Sequence, residues 1–407
     1  MKAIKIIIIV LATTLLAWAL PWCYNFLFSS PHESPLTLYS PVTHDFATFS
    51  FEGIDGVAGY DLAGTPYTER QFDSIMPTVY ARQLAQEGRL PATIDGREVC
   101  VQSIEQSNFV FRALPTEKNR PQIGLYQLLN AASCHSGLGM PDDLFRITDC
   151  GIEFVSMEHN GILPRKSERY TTALKGNGFA FPARCIAGNA TTHKPYDNGY
   201  LLIDSNGKAF QMKQLCHGRP SVRRVNSPDS LQFAQAYVTE FPDRRFVGFL
   251  ADTQGIFYAI DTRDYSLHRL PLAPTNLDEE RLIVVGDMFY WTAILDRGNH
   301  EHLTAIDAQT LATVAEHDFD YPDASWRRAR RWIFPFRLTF NSPNDRFTAP
   351  HLRDCSAQAL LLNAVCALAY LLLRRSERDR RTVWFRSAAI LLLGLFLFLP
   401  LLAADRE

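Results

Sequence analysis

Several sequence motifs that identify common enzyme classes are missing from this chain. Its 407 residues contain no G-x-S-x-G, no H-E-x-x-H, no P-loop and no dinucleotide-binding fingerprint. These motifs mark α/β-type serine hydrolases, zinc proteases, nucleotide hydrolases and nicotinamide-dependent dehydrogenases. We therefore assign no catalytic, cofactor-binding or metal-ligating residue from sequence, and we expect no cofactor.

The chain also lacks an excess of charge of either sign. It carries 41 Lys and Arg against 43 Asp and Glu, for a formal net charge of −2. A dedicated nucleic-acid-binding protein needs a basic excess, so we expect no nucleic-acid partner. Charged residues make up 21% of the chain and hydrophobic residues 47%, a balance that excludes general disorder.

Cysteine is sparse, and no C-x-x-C pair occurs among the eight residues present. The five that lie between the terminal apolar runs are Cys100, Cys134, Cys150, Cys185 and Cys216. Disulfides form outside the cytoplasm, but their pairing does not follow from sequence alone. One or two bridges with a thiol left over, or buried unpaired thiols, both fit this number, and we predict no particular bridge.

Long apolar runs are concentrated at the two ends of the chain. Residues 6–28 are almost entirely apolar and follow Lys2 and Lys5. At about 1.5 Å per residue, 23 helical residues cross a hydrocarbon core of roughly 30 Å. A cleaved signal peptide with a site at 17–19 is the alternative, but it would leave an unusually apolar new terminus. We predict a transmembrane anchor over residues 1–28.

The other end contains two apolar runs of 18 residues each, at 356–373 and 387–404, which we predict to be transmembrane helices. The loop between them, 374–386, carries five arginines within residues 374–381 and is expected to stay cytoplasmic. This arrangement places residues 29–355 outside the cytoplasm, as a periplasmic domain of a multi-pass inner-membrane protein. The basic cluster at 327–331 argues against this orientation.

A short hairpin pattern recurs in the body of the chain. Apolar residues lead to an Asp, then to a polar or glycine-containing turn, then to further apolar residues, at Asp149, Asp204, Asp252 and Asp307, with an earlier relative at Asp61. An Asp side chain accepts hydrogen bonds within such a turn, and glycine supplies a positive φ. Separations of 55, 48 and 55 residues are typical of propeller blades. We predict a mainly β, irregular propeller-like domain, with a β-sandwich or an irregular β fold as alternatives.

One early helix interrupts this β pattern. Thr68 and Gln71 form a capping box, apolar residues follow at helical spacing, and Gly88 is placed to end the helix. Pro77 lies inside the segment and should kink or divide it.

Four short segments suggest chemistry, and each has a simpler interpretation. His300 and His302 would share one face of a strand and could hold a metal, although no third ligand is assignable. The adjacent pairs Cys134–His135 and Cys216–His217 would point to opposite faces of a strand, so a catalytic dyad needs a tertiary approach. Residues 204–207 begin like a calcium loop but lack its remaining ligands, which favours a turn.

Two further segments concern the membrane. Residues 326–336 place arginines between aromatic side chains, which suits a headgroup layer or the acidic surface of a partner, or a solvated turn with ordinary packing. Asn363 lies in the second apolar run, where an amide is expected to bond across a helix interface, either within this chain or to a partner.

A family resemblance rests on stretches of the body at residues 67–77, 88–91, 140–149, 199–204 and 333–338. Together these stretches resemble the domain-of-unknown-function family 4857 of Bacteroidetes membrane proteins. The resemblance implies no activity and no functional residues, because the family has none assigned. It also implies a place beside transporter components of the ATP-binding-cassette (ABC) type.

The function expected from these observations is a non-enzymatic one, although an enzyme is not excluded. We expect a membrane protein whose body is a binding domain, acting as an accessory or assembly partner of a membrane complex such as an ABC-type transporter. Its partners would be the lipid bilayer and a transporter permease. The alternative is a membrane-anchored hydrolase or ligand sensor that uses the propeller funnel.

Overall fold

The computed structural model describes residues 2–29, 35–50, 57–131, 138–377 and 379–404. The chain divides into two compact units, Pro35–Asp320 and Met1–Ser34 with Tyr321–Glu407. We call the first the β body and the second the helical unit. Residues 321–355, which the sequence assigned to the body, group with the helical unit.

The strands follow one another along most of the chain. They are β1 (Thr37–Tyr39), β2 (Phe46–Phe49), β3 (Val57–Asp61), β4 (Pro66–Thr68), β5 (Thr93–Ile94), β6 (Arg97–Glu98), β7 (Phe109–Ala113), β8 (Asp143–Ile147), β9 (Ile152–Ser156), β10 (Cys185–Gly188), β11 (Tyr200–Ile203), β12 (Ala209–Leu215), β13 (Arg219–Arg224), β14 (Phe233–Val238), β15 (Phe246–Asp252), β16 (Phe257–Asp261), β17 (Leu267–Arg269), β18 (Arg281–Gly286), β19 (Tyr290–Asp296), β20 (His300–Asp307), β21 (Thr313–Asp320), β22 (Arg337–Thr339) and β23 (His351–Arg353).

The helices lie mainly at the two ends. They are α1 (Lys2–Phe28), α2 (Glu69–Ile75), α3 (Ala81–Gln86), α4 (Val101–Ser107), α5 (Pro115–Lys118), α6 (Pro164–Gly176), α7 (Ser325–Ile333), α8 (Ala359–Leu373), α9 (Arg380–Leu393) and α10 (Leu395–Ala404).

Antiparallel sheets of four or five strands make up most of the β body, so the prediction of a mainly β domain is confirmed. Their strand orders are β1-β2-β3-β4, β10-β11-β12-β13, β14-β15-β16-β17 and β21-β20-β19-β18-β7. Neighbouring strands are mostly consecutive in sequence, as in a meander. The exception is β7, which pairs with β18 although about 170 residues separate them.

Successive sheets bury their apolar faces against each other. Phe111 of β7 packs on Phe249 of β15 in a tilted arrangement with ring centroids 4.3 Å apart, which joins the five-stranded sheet to the sheet of β14–β17. Leu201 of β11 and Val247 of β15 belong to one buried cluster, and Tyr39 of β1 and Leu303 of β20 belong to another. Burying one such large side chain contributes roughly 1.5–3 kcal/mol.

The aspartate turns form as predicted at most of the repeated positions. Asp252 Oδ1 accepts hydrogen bonds from the backbone N–H groups of Gln254 (2.8 Å) and Ile256 (3.0 Å). Asp61, Asp204 and Asp307 accept backbone N–H groups of their own turns in the same way.

The prediction is wrong at Asp149, whose side chain is exposed and caps nothing in the part of the chain that the structure describes. Thr148 takes this role, because its Oγ1 accepts from the N–H groups of Cys150 (3.4 Å) and Gly151 (3.2 Å).

The early helix is confirmed and is divided at the predicted place. Gln71 Oε1 accepts from the Thr68 N–H (3.0 Å), α2 ends before Pro77, and Gly88 follows α3 with φ +68°. The expectation of a single helix in the body is wrong, since α6 is longer than either piece. The spacing of apolar residues in the sequence does not reveal α6, because only Ser167, Tyr170 and Leu174 of this helix are buried and its apolar stripe is narrow.

The helical unit differs from the predicted terminal spans. Of the helices in the described ranges, α1 alone is long and apolar enough to cross a membrane, and by length and composition it fits an anchor or a signal sequence. The helix predicted over 387–404 instead begins at Arg380 and breaks at Gly394, which has φ +58°. A Cβ at Gly394 would lie 2.0 Å from Asn363 Oδ1, so the close packing of α8 requires glycine there.

The turn capping yields a test with a matched control. Replacing the buried Asp252 with Ala leaves two turn N–H groups without their acceptor, at an expected cost of about 2 kcal/mol in the free energy of unfolding. Asp149→Ala should change it by less than about 0.5 kcal/mol. Chemical denaturation of the full-length protein, followed by tryptophan fluorescence, measures both; equal losses would contradict the assignment of the caps.

Candidate functional site

An open cavity of about 600 Å³ lies beside the outer face of the β7–β18 pair. Alternation along β7 buries Phe109, Phe111 and Ala113 and leaves Val110 and Arg112 on the other face. The register of the pair sets Val110 opposite Val285 and Arg112 opposite Ile283. These four side chains form one wall of the cavity.

The second wall comes from the first sheet and from the segment after α2. Leu38 and Tyr39 of β1 and Phe49 of β2 face the cavity, together with Met76 and Val79. Val79 is 47% exposed and Val110 is 50% exposed, so the cavity opens to solvent between the walls. Its size falls within the range of roughly 300–1,000 Å³ that is typical of small-molecule sites.

Two polar groups at the cavity keep hydrogen-bonding capacity unused. Asn108 donates through Nδ2 to the Thr78 carbonyl (2.9 Å), whereas its buried Oδ1 has no hydrogen-bond partner among the described residues. The exposed guanidinium of Arg112 makes no hydrogen bond or ion pair within those same ranges. A buried acceptor without a partner is costly, so a bound molecule that donates to it would be stabilised.

Asp287 provides a carboxylate in the β18–β19 turn, at the edge of the cavity. Its Oδ1 accepts from the N–H groups of Phe289 (2.7 Å) and Tyr290 (2.8 Å). Burial raises the pKa of Asp287, and the backbone donors, the Thr78 hydroxyl and the charge of Arg97 oppose this rise without cancelling it.

The rim carries a solvated group of three polar side chains. Tyr290 donates through its hydroxyl to Asp95 Oδ2 (3.2 Å), and His44 Nε2 lies 3.3 Å from Asp95 Oδ1. Burial, followed by the nearby Asp95 charge, raises the pKa of Tyr290 to about 12. The phenol is therefore protonated at neutral pH and acts as a hydrogen-bond donor rather than as a base or nucleophile.

The described lining of this cavity does not supply the pair of groups that nucleophilic catalysis needs. Its lining contains no serine, cysteine, lysine or histidine among the described side chains. The threonine hydroxyls are already used, since Thr292 Oγ1 accepts from the Tyr39 N–H (2.8 Å) and Thr78 bonds to Asp287. An activated nucleophile needs an adjacent base, and this lining does not supply such a pair.

A second polar cluster lies elsewhere in the β body and is enclosed. Lys194 Nζ contacts Asp197 Oδ1 (2.5 Å) and Glu240 Oε1 (2.6 Å), and each of the three side chains is at most 5% exposed. Lys213 donates to Asn198 Oδ1 (2.9 Å), and burial lowers the pKa of this lysine. Because these charges neutralise one another out of reach of solvent, we interpret the cluster as a brace between neighbouring sheets.

The histidine pair lies on one face of β20, as predicted for an extended segment. His302 Nδ1 lies 2.7 Å from Asp318 Oδ1, and His300 Nδ1 lies 2.8 Å from Asp320 Oδ1, both across the strand pair. Within the described ranges, no group of three or more His, Cys, Asp or Glu is placed to hold a metal ion. The pair therefore contributes cross-strand contacts.

The remaining candidates of the body lie in turns or outside the described residues. Cys216 and His217 belong to a tight turn between β12 and β13, where His217 has φ +61°, so the expectation of a strand there is wrong. Asp204 caps its own turn, as the simpler interpretation held. Cys134 and His135 lie outside the residues that the structure describes. Among the cysteines that the structure describes, Cys100, Cys150 and Cys185 form no disulfide.

The two membrane-related segments lie in the helical unit. The arginine-rich stretch forms α7, whose Arg330 is buried and donates to Asp354 Oδ2 (2.9 Å). Asn363 is fully buried and donates to the Leu391 carbonyl of α9 (3.0 Å). Of the two alternatives for this amide, the bond to a neighbouring helix of the same chain is present, while its Oδ1 has no hydrogen-bond partner among the described residues.

Sequence reasoning missed the residues that give the cavity its polarity. Asn108, Arg112 and Asp287 belong to no motif, and Asp287 lies far along the chain from the other two. The alternation from Phe109 to Ala113 could have identified β7 as a strand. Nothing local indicates that β18 is its partner.

The fold and the cavity together define a mainly β protein with an open, largely apolar cavity in its β body. The model of the family described as "Domain of unknown function (DUF4857)" matches residues 36–306, about two thirds of the chain. The chain therefore belongs to this family, as the sequence resemblance indicated. No curated protein matches it significantly.

Three solved structures show distant likeness. The Dos1 propeller has 10% identity and a TM-score of 0.26, covering 44% of this chain and 45% of its own. The Cps50 (Swd1) beta-propeller domain of Myceliophteria thermophila has 8% identity and a TM-score of 0.21, and the match covers 48% of this chain and 87% of that domain. The dihydro-heme d1 dehydrogenase NirN has 11% identity and a TM-score of 0.22, and the match covers 68% of this chain and 72% of the NirN chain. Likeness at this level does not establish a closed propeller here.

The raised pKa of Asp287 predicts a pH dependence that can be isolated by substitution. The folded state binds this proton more tightly than the unfolded chain, so the stabilisation exists at low pH and is lost as pH rises through the folded pKa. Asp287→Asn keeps the turn acceptor but not the charge. We expect wild-type stability to fall relative to this variant as pH rises from the ordinary value of 3.8 towards neutrality.

Denaturant unfolding of both full-length proteins across that pH range measures the difference. Other titrating groups are common to the two proteins, so the difference reports on Asp287 alone. A difference that stays constant with pH would contradict the assignment.

Proposed function

We propose that this chain is a membrane-anchored binding protein whose β body holds a small, largely apolar ligand with an acidic group. The observation that carries this proposal is the open apolar cavity at which the Asn108 Oδ1 and the Arg112 guanidinium have no partner among the described residues. The hydrocarbon walls account for an apolar ligand, and Arg112 at the exposed side accounts for an acidic group.

The ligand is proposed to lie with its apolar part between the two walls. Val110 and Val79, the exposed apolar residues of the two walls, would contact it from opposite sides, and the acidic group would reach Arg112 at the opening. A guanidinium pairs well with a planar carboxylate, because two parallel N–H groups match its two oxygens. The unpaired acceptor of Asn108 would take a donor group, where the ligand has one.

Isothermal titration of the full-length protein with 2-naphthoate tests this assignment. This probe combines an apolar bicyclic ring with one carboxylate. We expect saturable binding to the wild type and about tenfold weaker binding to Arg112→Gln, since a hydrogen bond to a charged group contributes roughly 1.5–3 kcal/mol. Val285→Phe should fill the cavity and abolish binding.

Arg269→Gln provides a matched control, because the Arg269 guanidinium is also exposed and makes no hydrogen bond or ion pair in the described part of the chain. This variant should bind as the wild type does. Absence of wild-type binding, or equal affinity in Val285→Phe, would overturn the proposed site.

For the architecture, we propose an irregular propeller-like body held in the periplasm by a multi-pass inner-membrane unit. The succession of meander sheets supports the first part, and the arginine-rich loop after α8 supports the orientation. Retention of α1 is supported by its packing against α10 and by Ala17, which is buried in a cluster with Phe334 and Phe396.

Alkaline phosphatase fusions test this placement. A fusion after Gly207 should be active, because the enzyme folds only outside the cytoplasm, and a fusion within residues 374–381 should be inactive. The intact mass of the membrane-extracted protein should include α1. The reverse fusion pattern, or a mature protein that begins after residue 19, would contradict the placement.

A role as an accessory partner of an ABC-type permease is proposed for α8. Four apolar side chains spaced by four, three and four residues lie exposed along one face of this helix: Leu361, Val365, Leu368 and Leu372. Such a stripe suits contact with another transmembrane helix, and lipid is its alternative environment.

Purification from native membranes in mild detergent, followed by mass spectrometry, tests the partner. The wild type should recover a permease, and Val365→Ala with Leu368→Ala should reduce the recovery. Leu392→Ala on α9, where the side chain is 69% exposed, is the control and should retain it. Recovery of the chain alone, or equal losses in both variants, would contradict this role.

A further inference from the structure

We propose that α7 is an interfacial helix whose outer face binds the headgroups of acidic phospholipids beside the end of α1. This inference rests on the proposed retention of α1 as a transmembrane helix. It concerns the helical unit alone and does not depend on the cavity of the β body.

The first step is the depth of α7. Tyr24 in the last turns of α1 donates through its hydroxyl to the Trp326 carbonyl (3.1 Å). Arg330 Nη1 donates to Asn25 Oδ1 (2.9 Å), which adds a second contact at the same level. The apolar run begins at Ile6, so Tyr24 lies about 27 Å further along the helix, close to the thickness of a hydrocarbon core. These contacts hold α7 at the headgroup level.

Two arginines of α7 are already paired with acidic side chains. Arg330 is buried and pairs with Asp354 (2.9 Å), and Arg331 pairs with Asp323 (2.7 Å). The Arg328 side chain is exposed and makes neither a hydrogen bond nor an ion pair in the described ranges of the chain. Its guanidinium is therefore available to a ligand outside the helical unit.

Exposed apolar side chains lie near Arg328 in the helical unit. Trp332 lies four residues further along the helix, on the same face, and is 49% exposed. An arginine beside an exposed indole is typical of the membrane–water boundary, where the ring enters the interface and the guanidinium meets phosphate. Leu352 of β23 is 66% exposed, and its partner strand β22 packs beside α1, so the apolar exposure continues along the membrane side.

Acidic phospholipid fits these observations better than a protein surface does. Phosphate takes two N–H groups of a guanidinium, and a lipid layer also accommodates the exposed Trp332 and Leu352 side chains without a matched partner surface. A zwitterionic lipid presents its phosphate together with a cation, which weakens the attraction. The proposal is therefore specific to headgroups with net negative charge.

Native mass spectrometry of the full-length protein in mild detergent tests the proposal, with phosphatidylglycerol or phosphatidylcholine added. The wild type should retain phosphatidylglycerol at higher occupancy than phosphatidylcholine. Arg328→Gln should weaken phosphatidylglycerol binding about fivefold, the effect expected for one basic residue at a membrane surface. Arg328→Lys should preserve most of it, and Arg269→Gln, in the β body, should preserve all of it.

Equal retention of the two lipids by the wild type would overturn the proposal, and so would a loss of phosphatidylglycerol in Arg269→Gln equal to that in Arg328→Gln. The proposal would also be overturned if an acidic protein co-purified with the wild type but not with Arg328→Gln, while both retained the lipid equally. The phosphatase fusions and the intact mass do not involve Arg328. A failure of α1 to span the membrane is therefore distinguishable from a failure of α7 to bind lipid.

Discussion

The antiparallel pairing of β7 with β18 is the constraint on which the β body depends. It joins residues about 170 positions apart, and closing such a loop costs about 4–5 kcal/mol in chain entropy before any contact forms. Phe109 and Phe111 offset this cost, because their rings are buried among Trp291, Phe249 and Phe257. Gly286 is required at the pair, since a Cβ there would lie 2.2 Å from the Phe109 ring. Without this pairing, the inner face of the five-stranded sheet would lose the core contacts of Phe109 and Phe111. Its outer face would lose the β7 side chains that line the cavity.

Features that arise from neighbouring residues could be predicted from the sequence. The capping box at Thr68 and Gln71, the division at Pro77 and the turns at Asp204 and Asp252 depend on contacts within a few residues. Even here a local choice was misjudged, since Thr148 rather than Asp149 accepts the turn N–H groups. Either residue type fits a turn acceptor, and the backbone geometry decides between them.

Features that depend on distant residues could not be predicted. The polarity of the cavity comes from Asn108 and Arg112, at β7, and from Asp287, which the pairing of β7 with β18 brings beside them. In the helical unit, hydropathy correctly identified apolar runs but not the break at Gly394, whose positive φ is a backbone property that an average over side chains does not report. Asn363 fits into the space at that glycine, so the polar group in the second apolar run has an internal structural role.

The central claim is that the space between the first sheet and the β7–β18 pair is the binding site of this protein. Hydrogen exchange of the full-length protein, compared with and without 2-naphthoate, tests it most directly, because slowed exchange identifies the segments that a ligand orders. The account predicts slowed exchange confined to residues 36–49, 76–79, 108–112 and 283–292. Slowed exchange around Lys194 and Glu240 instead, or no change at the cavity segments, would contradict it.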